Sequence, residues 1–171
     1  INSSPFLDIL LDYLHIEGFS RFILCTGIFG DYIKTYYHNN NKKNYSIEIS
    51  QESYQLGTGG ALKNSEQLVK SENFVLINGD TLCKLNYNEL IDFHNNKSSF
   101  ITMVSGVPYD KGDYGGIEID ENNRIKSINK KNNQNYFNAG VYVFNKEVFN
   151  HLSTNYPYSI DSDFINSVLL K

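Results

Sequence analysis

An aspartate set behind an Asn-Gly pair at the end of an apolar run is the residue of this chain best suited to hold a divalent cation. In "FVLINGDT" the strand-like run Phe74–Ile77 ends at Asn78 and Gly79, and Asp80 follows. Glycine leaves room for a phosphate chain, and magnesium takes only one or two protein carboxylates, filling its other positions with water and phosphate oxygens. The same residues also suit an ordinary Asn-Gly turn with Asp80 capping the next segment. A second group, "QLGTGGAL", sets Gly57, Thr58, Gly59 and Gly60 in front of a helical pattern. Glycines at a helix N-terminus expose N–H groups and remove the Cβ atoms that would hold off a flat base or a phosphate. The alternative is a glycine-rich turn into a helix. On the residues alone both readings stay open: a flat base or a phosphate approaching the bare backbone around Gly57 with a cation at Asp80, or two structural turns.

Other chemistries find less support. The glycine loop is not GxxxxGK[ST], and Leu62 stands where a third GxGxxG glycine belongs. "DSD" (Asp161–Asp163) matches the DxD metal signature of many glycosyltransferases. It opens a helical pattern and follows no apolar strand, so helix capping is the expected role. His15, His38, His94 and His151 lie near helix ends or on polar faces without ligand spacing, and are expected at the surface. Cys25 and Cys83 show no CxxC or zinc spacing and are expected as buried free thiols in a reducing cytoplasm. No nucleophile-elbow sequence is present.

These residues must be carried by elements. Ser4-Pro5 places a capping hydroxyl before a first-turn proline, and Phe6, Ile9, Leu10, Tyr13 and Leu14 follow at helical spacing up to Gly18. "RFILCTG" (Arg21–Gly27) suits a strand buried on both faces. A helix through Phe29–Tyr37, a strand at Tyr45–Ser50, a helix at Gly60–Val69 and a strand at Asn73–Gly79 come next. A helix near Asn86–His94 leads to a strand at Ser99–Val107. Shorter β runs then cover Tyr114–Asp120, Arg124–Asn129 and Tyr136–Phe144, and two helical patterns with Asn145 and Asp161 as N-caps close the chain. Alternating helix and apolar strand followed by β runs means α/β, with a mixed sheet covered by helices. In such sheets ligands bind beyond the carboxyl ends of the strands. The Gly27 turn, the Gly57 loop and Asn78–Asp80 all stand there.

The 171 residues fit one domain with a real core, and thirteen Tyr and eleven Phe make it aromatic-rich. A net charge of −4 gives no basic patch for nucleic acid or anionic lipid. No apolar run approaches a membrane span, and no secretory leader is visible. The asparagine-rich stretches His38–Asn44 and Asn129–Asn135 read as solvated loops.

"QLGTGGALKN", "FVLINGDT", "DYGGIEIDENNRIKSI" and "FNAGVYVF" appear in an order and spacing that resembles the sugar-phosphate nucleotidyltransferase family, over almost the whole chain. The nearest branch contains D-glycero-D-manno-heptose 1-phosphate and mannose-1-phosphate guanylyltransferases. The resemblance implies a Rossmann-like nucleotidyltransferase fold, a mixed, mostly parallel sheet covered by helices with a β-rich sugar-binding portion. It makes residues 1–171 one domain, with 1–107 for the nucleotide and 108–171 for the sugar.

The implied reaction transfers a nucleoside monophosphate, GMP from GTP, to a heptose- or mannose-type sugar 1-phosphate and releases pyrophosphate. It would serve nucleotide-sugar synthesis for lipopolysaccharide or capsule, in the cytoplasm. Magnesium is the implied cofactor. Nucleic acid and membrane are not partners, and a homo-oligomer is compatible. Glu52, Leu56, Gly57, Thr58 and Gly59 would surround the base, and Asn78 and Gly79 would also bind the nucleotide. Asp80 would carry the metal, and Tyr114, Gly115, Asn138, Gly140 and Lys130 would face the sugar phosphate. The family's Glu-Lys pair falls on Asn129-Lys130, and Gln55 replaces a proline. The family's opening strand and GGxGTRL-like loop precede Ile1 in this matching, Ser4-Pro5 stands at its later Lys-Pro, and its second metal aspartate falls beyond Lys171. Without that strand, two strand edges should be unpaired. A non-catalytic nucleotide-sugar-binding or regulatory module of the same fold is the rival, and a metal-dependent glycosyltransferase built on Asp161–Asp163 a third.

Overall fold

A computed structural model of the chain describes residues 4–39, 43–109, 116–129 and 136–169. They fall into two compact units, Ile1–Glu72 with Lys146–Ile160 and Asn73–Asn145 with Asp161–Lys171.

In the first unit, α1 (Phe6–Ile16) buries Leu10, Leu11 and Leu14 along one stripe. Each fully buried leucine contributes about 1.5–3 kcal/mol. Pro5 takes the N-cap position and no side chain caps the helix, so Ser4 does not act as the cap expected of it. Gly18, at φ +103°, ends the helix as anticipated: its N–H donates to His15 O and that of Phe19 to Leu14 O. β1 (Arg21–Thr26) pairs in parallel with β2 (Ser46–Gln51), with α2 (Gly30–Asn39) as the crossover. Phe22 and Thr26 are buried while Arg21 and Cys25 are exposed. β1 is therefore covered on one face, not both. Cys25 lies on the open face and Cys83 is half-buried; both thiols are free, but neither is buried as expected.

α3 (Gly57–Asn64) starts earlier and stops sooner than the apolar spacing suggests. The glycines lie inside its first turn, and Ser65 ends it by bonding back to Leu62 O through both its N–H and its hydroxyl. Lys146–Asn150 is a 3₁₀ turn.

The second unit is built on β7 (Phe137–Asn145), which lies between β3 (Asn73–Ile77) and β4 (Ile101–Gly106) and is antiparallel to both. Gly140–Phe144 are buried, which places β7 at the centre of this unit's core with Phe164 and Ile165. The ladders are mixed, with a larger antiparallel share than alternating helices and strands suggest, because the late strand β7 enters between two earlier ones. Between β3 and β4 runs α4 (Tyr87–Asn96). Asn86 caps it, its side-chain oxygen accepting from Asn88 N and Glu89 N while its Nδ2 donates to Glu89 Oε1. α4 buries His94, whose Nδ1 lies 2.9 Å from Thr102 Oγ1 on β4. His94 is thus a core residue, contrary to expectation, while His38 and His151 are exposed.

β5 (Gly116–Ile119) and β6 (Ile125–Asn129) form an antiparallel hairpin. A π-helical turn, Ile160–Ile165, leads into α5 (Asn166–Leu169). Among the described residues β1 and β2 pair only with each other and β3 pairs only with β7.

Candidate functional site

In the first unit the carboxyl ends of β1 and β2 bring Gly27 and Glu52 together. Glu52 N donates to Thr26 O, and Glu52 Oε1 stands 3.0 Å from where a Cβ on Gly27 would lie. Glu52 Oε2 also accepts from Leu56 N at 3.2 Å, tying the carboxylate to the turn that opens α3.

What approaches the glycines of that turn is the chain itself. Gly57 has φ +78°, and a Cβ there would lie 2.6 Å from Tyr158 O. Tyr158 O accepts from Gly59 N at 2.8 Å and Gly60 N at 3.3 Å, capping two N–H groups that a helix start leaves without partners. Tyr158 N donates to Leu56 O, the ring of Tyr156 covers Gly60, and the Thr58 hydroxyl accepts from Ile160 N at 2.9 Å. At Gly57 and Gly59 the side on which a Cβ would stand is filled by Tyr158, and at Gly60 by Leu56 and the ring of Tyr156, a packing reason for bare α-carbons that the sequence reading does not foresee. Tyr158 was not legible beforehand, since nothing in its neighbourhood signals a contact about a hundred residues away.

The second unit holds the other predicted residues. Asn78, Gly79 and Asp80 are exposed at the end of β3, and a Cβ on Gly79 would meet nothing within 4 Å. Thr81 N closes the turn on Asn78 O, and Thr81 Oγ1 reaches Asp80 Oδ1 only at 3.5 Å. Asp80 therefore presents its carboxylate almost unengaged.

This turn rests against β7: Asn78 N donates to Gly140 O at 3.0 Å, and Asn78 Nδ2 sits 2.7 Å from the Cβ position of Gly140. Gly140 has φ +70° and lies in a bulge. Two residues of β4, Met103 and Ser105, stand opposite Tyr142 and Asn138, so β7 carries extra residues between them. Asn138 builds the bulge by accepting Gly140 N–H on its side-chain oxygen at 2.9 Å. Asn-x-Gly inside an apolar run is the signal that could have located it.

Below the bulge, Tyr142 O–H donates to Asp161 Oδ1 at 2.6 Å, and burial together with that carboxylate pushes the Tyr142 phenol well above its ordinary range. Asn138 Nδ2 donates to both Tyr142 and Asp161. Asp161 thus serves side chains of β7 and is not the helix cap expected of it.

The structure therefore gathers Asn78, Gly79, Asp80, Asn138 and Gly140 in one unit, and Glu52, Leu56, Gly57, Thr58 and Gly59 in the other. Tyr114, Gly115 and Lys130 lie outside the described residues. Among the described residues no three His, Cys, Asp or Glu converge as metal ligands, and no helix is long and apolar enough to cross a membrane.

Comparison with known proteins supplies the remaining observations. The model of the family described as nucleotidyl transferase matches residues 1–171. A D-glycero-alpha-D-manno-heptose 1-phosphate guanylyltransferase of Aneurinibacillus thermoaerophilus is 31% identical over 100% of this chain and 74% of its own length. One of the same name from Campylobacter jejuni is 32% identical over 94% of this chain and 71% of its own. A mannose-1-phosphate guanylyltransferase of Mycobacterium tuberculosis is 25% identical over 96% of this chain and 47% of its own length. The crystal structure of HddC from Yersinia pseudotuberculosis complexed with GMP-PN superposes with a TM-score of 0.82 at 32% identity, covering 95% of this chain and 72% of that one.

Proposed function

Because the chain belongs to the nucleotidyl transferase family, we propose that it transfers GMP from GTP to a heptose- or mannose-type sugar 1-phosphate, releasing pyrophosphate. The observation that carries this reading is the seating of the Asn78–Thr81 turn against Gly140. An exposed carboxylate, contacted only by Thr81 Oγ1 at 3.5 Å, is thereby carried on a turn whose Asn78 and Thr81 face the Gly140 bulge. A phosphate oxygen of the sugar 1-phosphate attacks the α-phosphorus of the nucleotide, and the bond to the bridging oxygen of the β-phosphate breaks as pyrophosphate leaves. No protein nucleophile is needed; the residues position groups and balance charge.

We assign Asp80 to magnesium. Its exposed carboxylate beside the open α-carbon of Gly79 fits a cation that accepts one protein carboxylate and fills its shell with water and phosphate oxygens. When bound there, the metal neutralises charge on the phosphates. Asn78 and Gly79 are assigned to the nucleotide, and Asn138, Gly140, Tyr114, Gly115 and Lys130 to the sugar phosphate. Glu52, Leu56, Gly57, Thr58 and Gly59 are assigned to the base through atoms not engaged by Tyr158. We read residues 1–171 as one domain, 1–107 serving the nucleotide and 108–171 the sugar. The product would feed surface-polysaccharide synthesis. A cytoplasmic location suits two free thiols and a nucleoside triphosphate substrate. A homo-oligomer is compatible with it.

The test is pyrophosphate release from the purified protein, expressed from its full coding sequence. It is given magnesium, GTP and heptose or mannose 1-phosphate, with ATP, CTP and UTP in parallel. Release with GTP supports the assignment. Nucleotide binding without release would favour a binding module of the same fold.

A further inference from the structure

Every hydrogen of the Asn138 amide is engaged. Nδ2 donates to the Tyr142 hydroxyl at 2.5 Å and to Asp161 Oδ1 at 2.8 Å, while Oδ1 accepts Gly140 N–H at 2.9 Å. A primary amide has two donor hydrogens and an oxygen with two lone pairs. Among the described residues, one lone pair on Oδ1 is all that is left. The flipped amide is excluded from both ends, for it would set an oxygen against the Asp161 carboxylate and an NH₂ against the Gly140 N–H.

Tyr142 has the same constraint. Its hydroxyl donates to Asp161 Oδ1 at 2.6 Å and can only accept from Asn138. The carboxylate therefore sets the direction of every hydrogen bond in the triad. Asp161 reaches it from the π-helical turn, 23 residues along the chain from Asn138. Such turns are frequent at functional sites.

We propose that Asp161 is a positioning residue: acting on Asn138 directly and through Tyr142, it leaves the Asn138 carbonyl oxygen as the group offered to the sugar 1-phosphate. The site then reads one sugar hydroxyl as a hydrogen-bond donor. This rests on the sugar-phosphate role assigned to Asn138 above. A sugar without that hydroxyl forfeits the contact and leaves the second lone pair of Asn138 Oδ1 without a donor.

Kinetics with Asp161→Asn test it, since a neutral amide at 161 lets Asn138 adopt either orientation. The expected result is a KM for the sugar 1-phosphate raised about tenfold, the scale of one hydrogen bond, with the KM for the nucleotide within about twofold of native. Tyr142→Phe removes one of the two inward partners and should raise the same KM by a smaller factor; it carries the test should Asp161→Asn not fold. Among monodeoxy sugar 1-phosphates, one should be a poor substrate for the native protein yet be handled equally by native and Asp161→Asn. Equal rises in both KM values, or no such analogue, would overturn the proposal.

A readout independent of turnover is the Asn138 side-chain NH₂ signal in nitrogen-15 spectra. It should exchange slowly in the native protein, stay unmoved on adding the sugar 1-phosphate, and exchange fast in Asp161→Asn. Fast exchange in the native protein sinks the positioning role. Slow exchange without any pyrophosphate release would instead count against the nucleotidyl-transfer reading and leave the positioning intact.

Discussion

The carbonyl oxygen of Tyr158 accepts the Gly59 N–H at 2.8 Å and the Gly60 N–H at 3.3 Å, and the Tyr158 N–H donates to Leu56 O at 2.8 Å. Two stretches of backbone thus close on each other, with the Gly57 α-carbon against the Tyr158 carbonyl. This contact caps the first turn of α3 without using a side chain, and it explains a glycine cluster that would otherwise weaken a helix start.

Gly57→Ala should therefore destabilise the protein strongly. Its φ of +78° and the 2.6 Å approach to Tyr158 O leave no room for a methyl group. The backbone strain alone is on the order of 1–3 kcal/mol, read as a lowered urea midpoint. Gly79→Ala is the contrast, because its Cβ position is open. It should unfold within about 0.5 kcal/mol of native while losing pyrophosphate release.

Thr58→Val should also act on stability. It removes the acceptor of the Ile160 N–H, and Ile160 is buried. Leaving that donor unpaired costs about 1–3 kcal/mol. Thr58→Ser should restore most of the loss in thermal unfolding, and a Thr58→Val protein as stable as native would contradict this role.

Asp80→Asn separates function from fold. The carboxylate is exposed and has only a 3.5 Å contact with Thr81 Oγ1, so the unfolding midpoint should not move. Pyrophosphate release should fall roughly 10²–10³-fold, and raising magnesium should not rescue it. Unchanged turnover would remove Asp80 from the metal role.

Acid sensitivity should follow His94. Burial holds its imidazole below the ordinary histidine pKa of 6.5, so the native state keeps it neutral. Below pH 6.5 the unfolded chain takes up a proton that the native state declines. Stability then falls as pH drops from 6.5 toward the native pKa and is flat above 6.5 with respect to this group. Urea unfolding between pH 5 and 8 should show the decline, and His94→Asn should flatten it.

The local elements were legible because they rest on local rules. Gly18 stops α1, and the spacing of Leu10 and Leu14 buries that helix. The helical pattern near Asn86–His94 marks α4, and the apolar run at Tyr136–Phe144 marks β7. The candidate site was legible as residue types, since Asn78–Asp80 and Asn138–Gly140 stood out in sequence and meet in space. Their mutual seating was not, because it depends on β7 entering beside β3 in antiparallel register, Ile77 opposite Val141. His94 was misplaced for a related reason. Its position near the end of α4 suggested solvent, but the face it occupies is covered by β4.

The chain alone determined the order of helices and strands, the family and the reactive residue types, all of which follow from short-range spacing. Tertiary structure decided what each group is occupied with: that Tyr158 fills the glycine turn, that Gly79 stays open, and that Asp161 is tied to Tyr142 and Asn138. A hydrogen-bonding group has few partners to accept. Which one takes it is settled only when segments distant in sequence pack together.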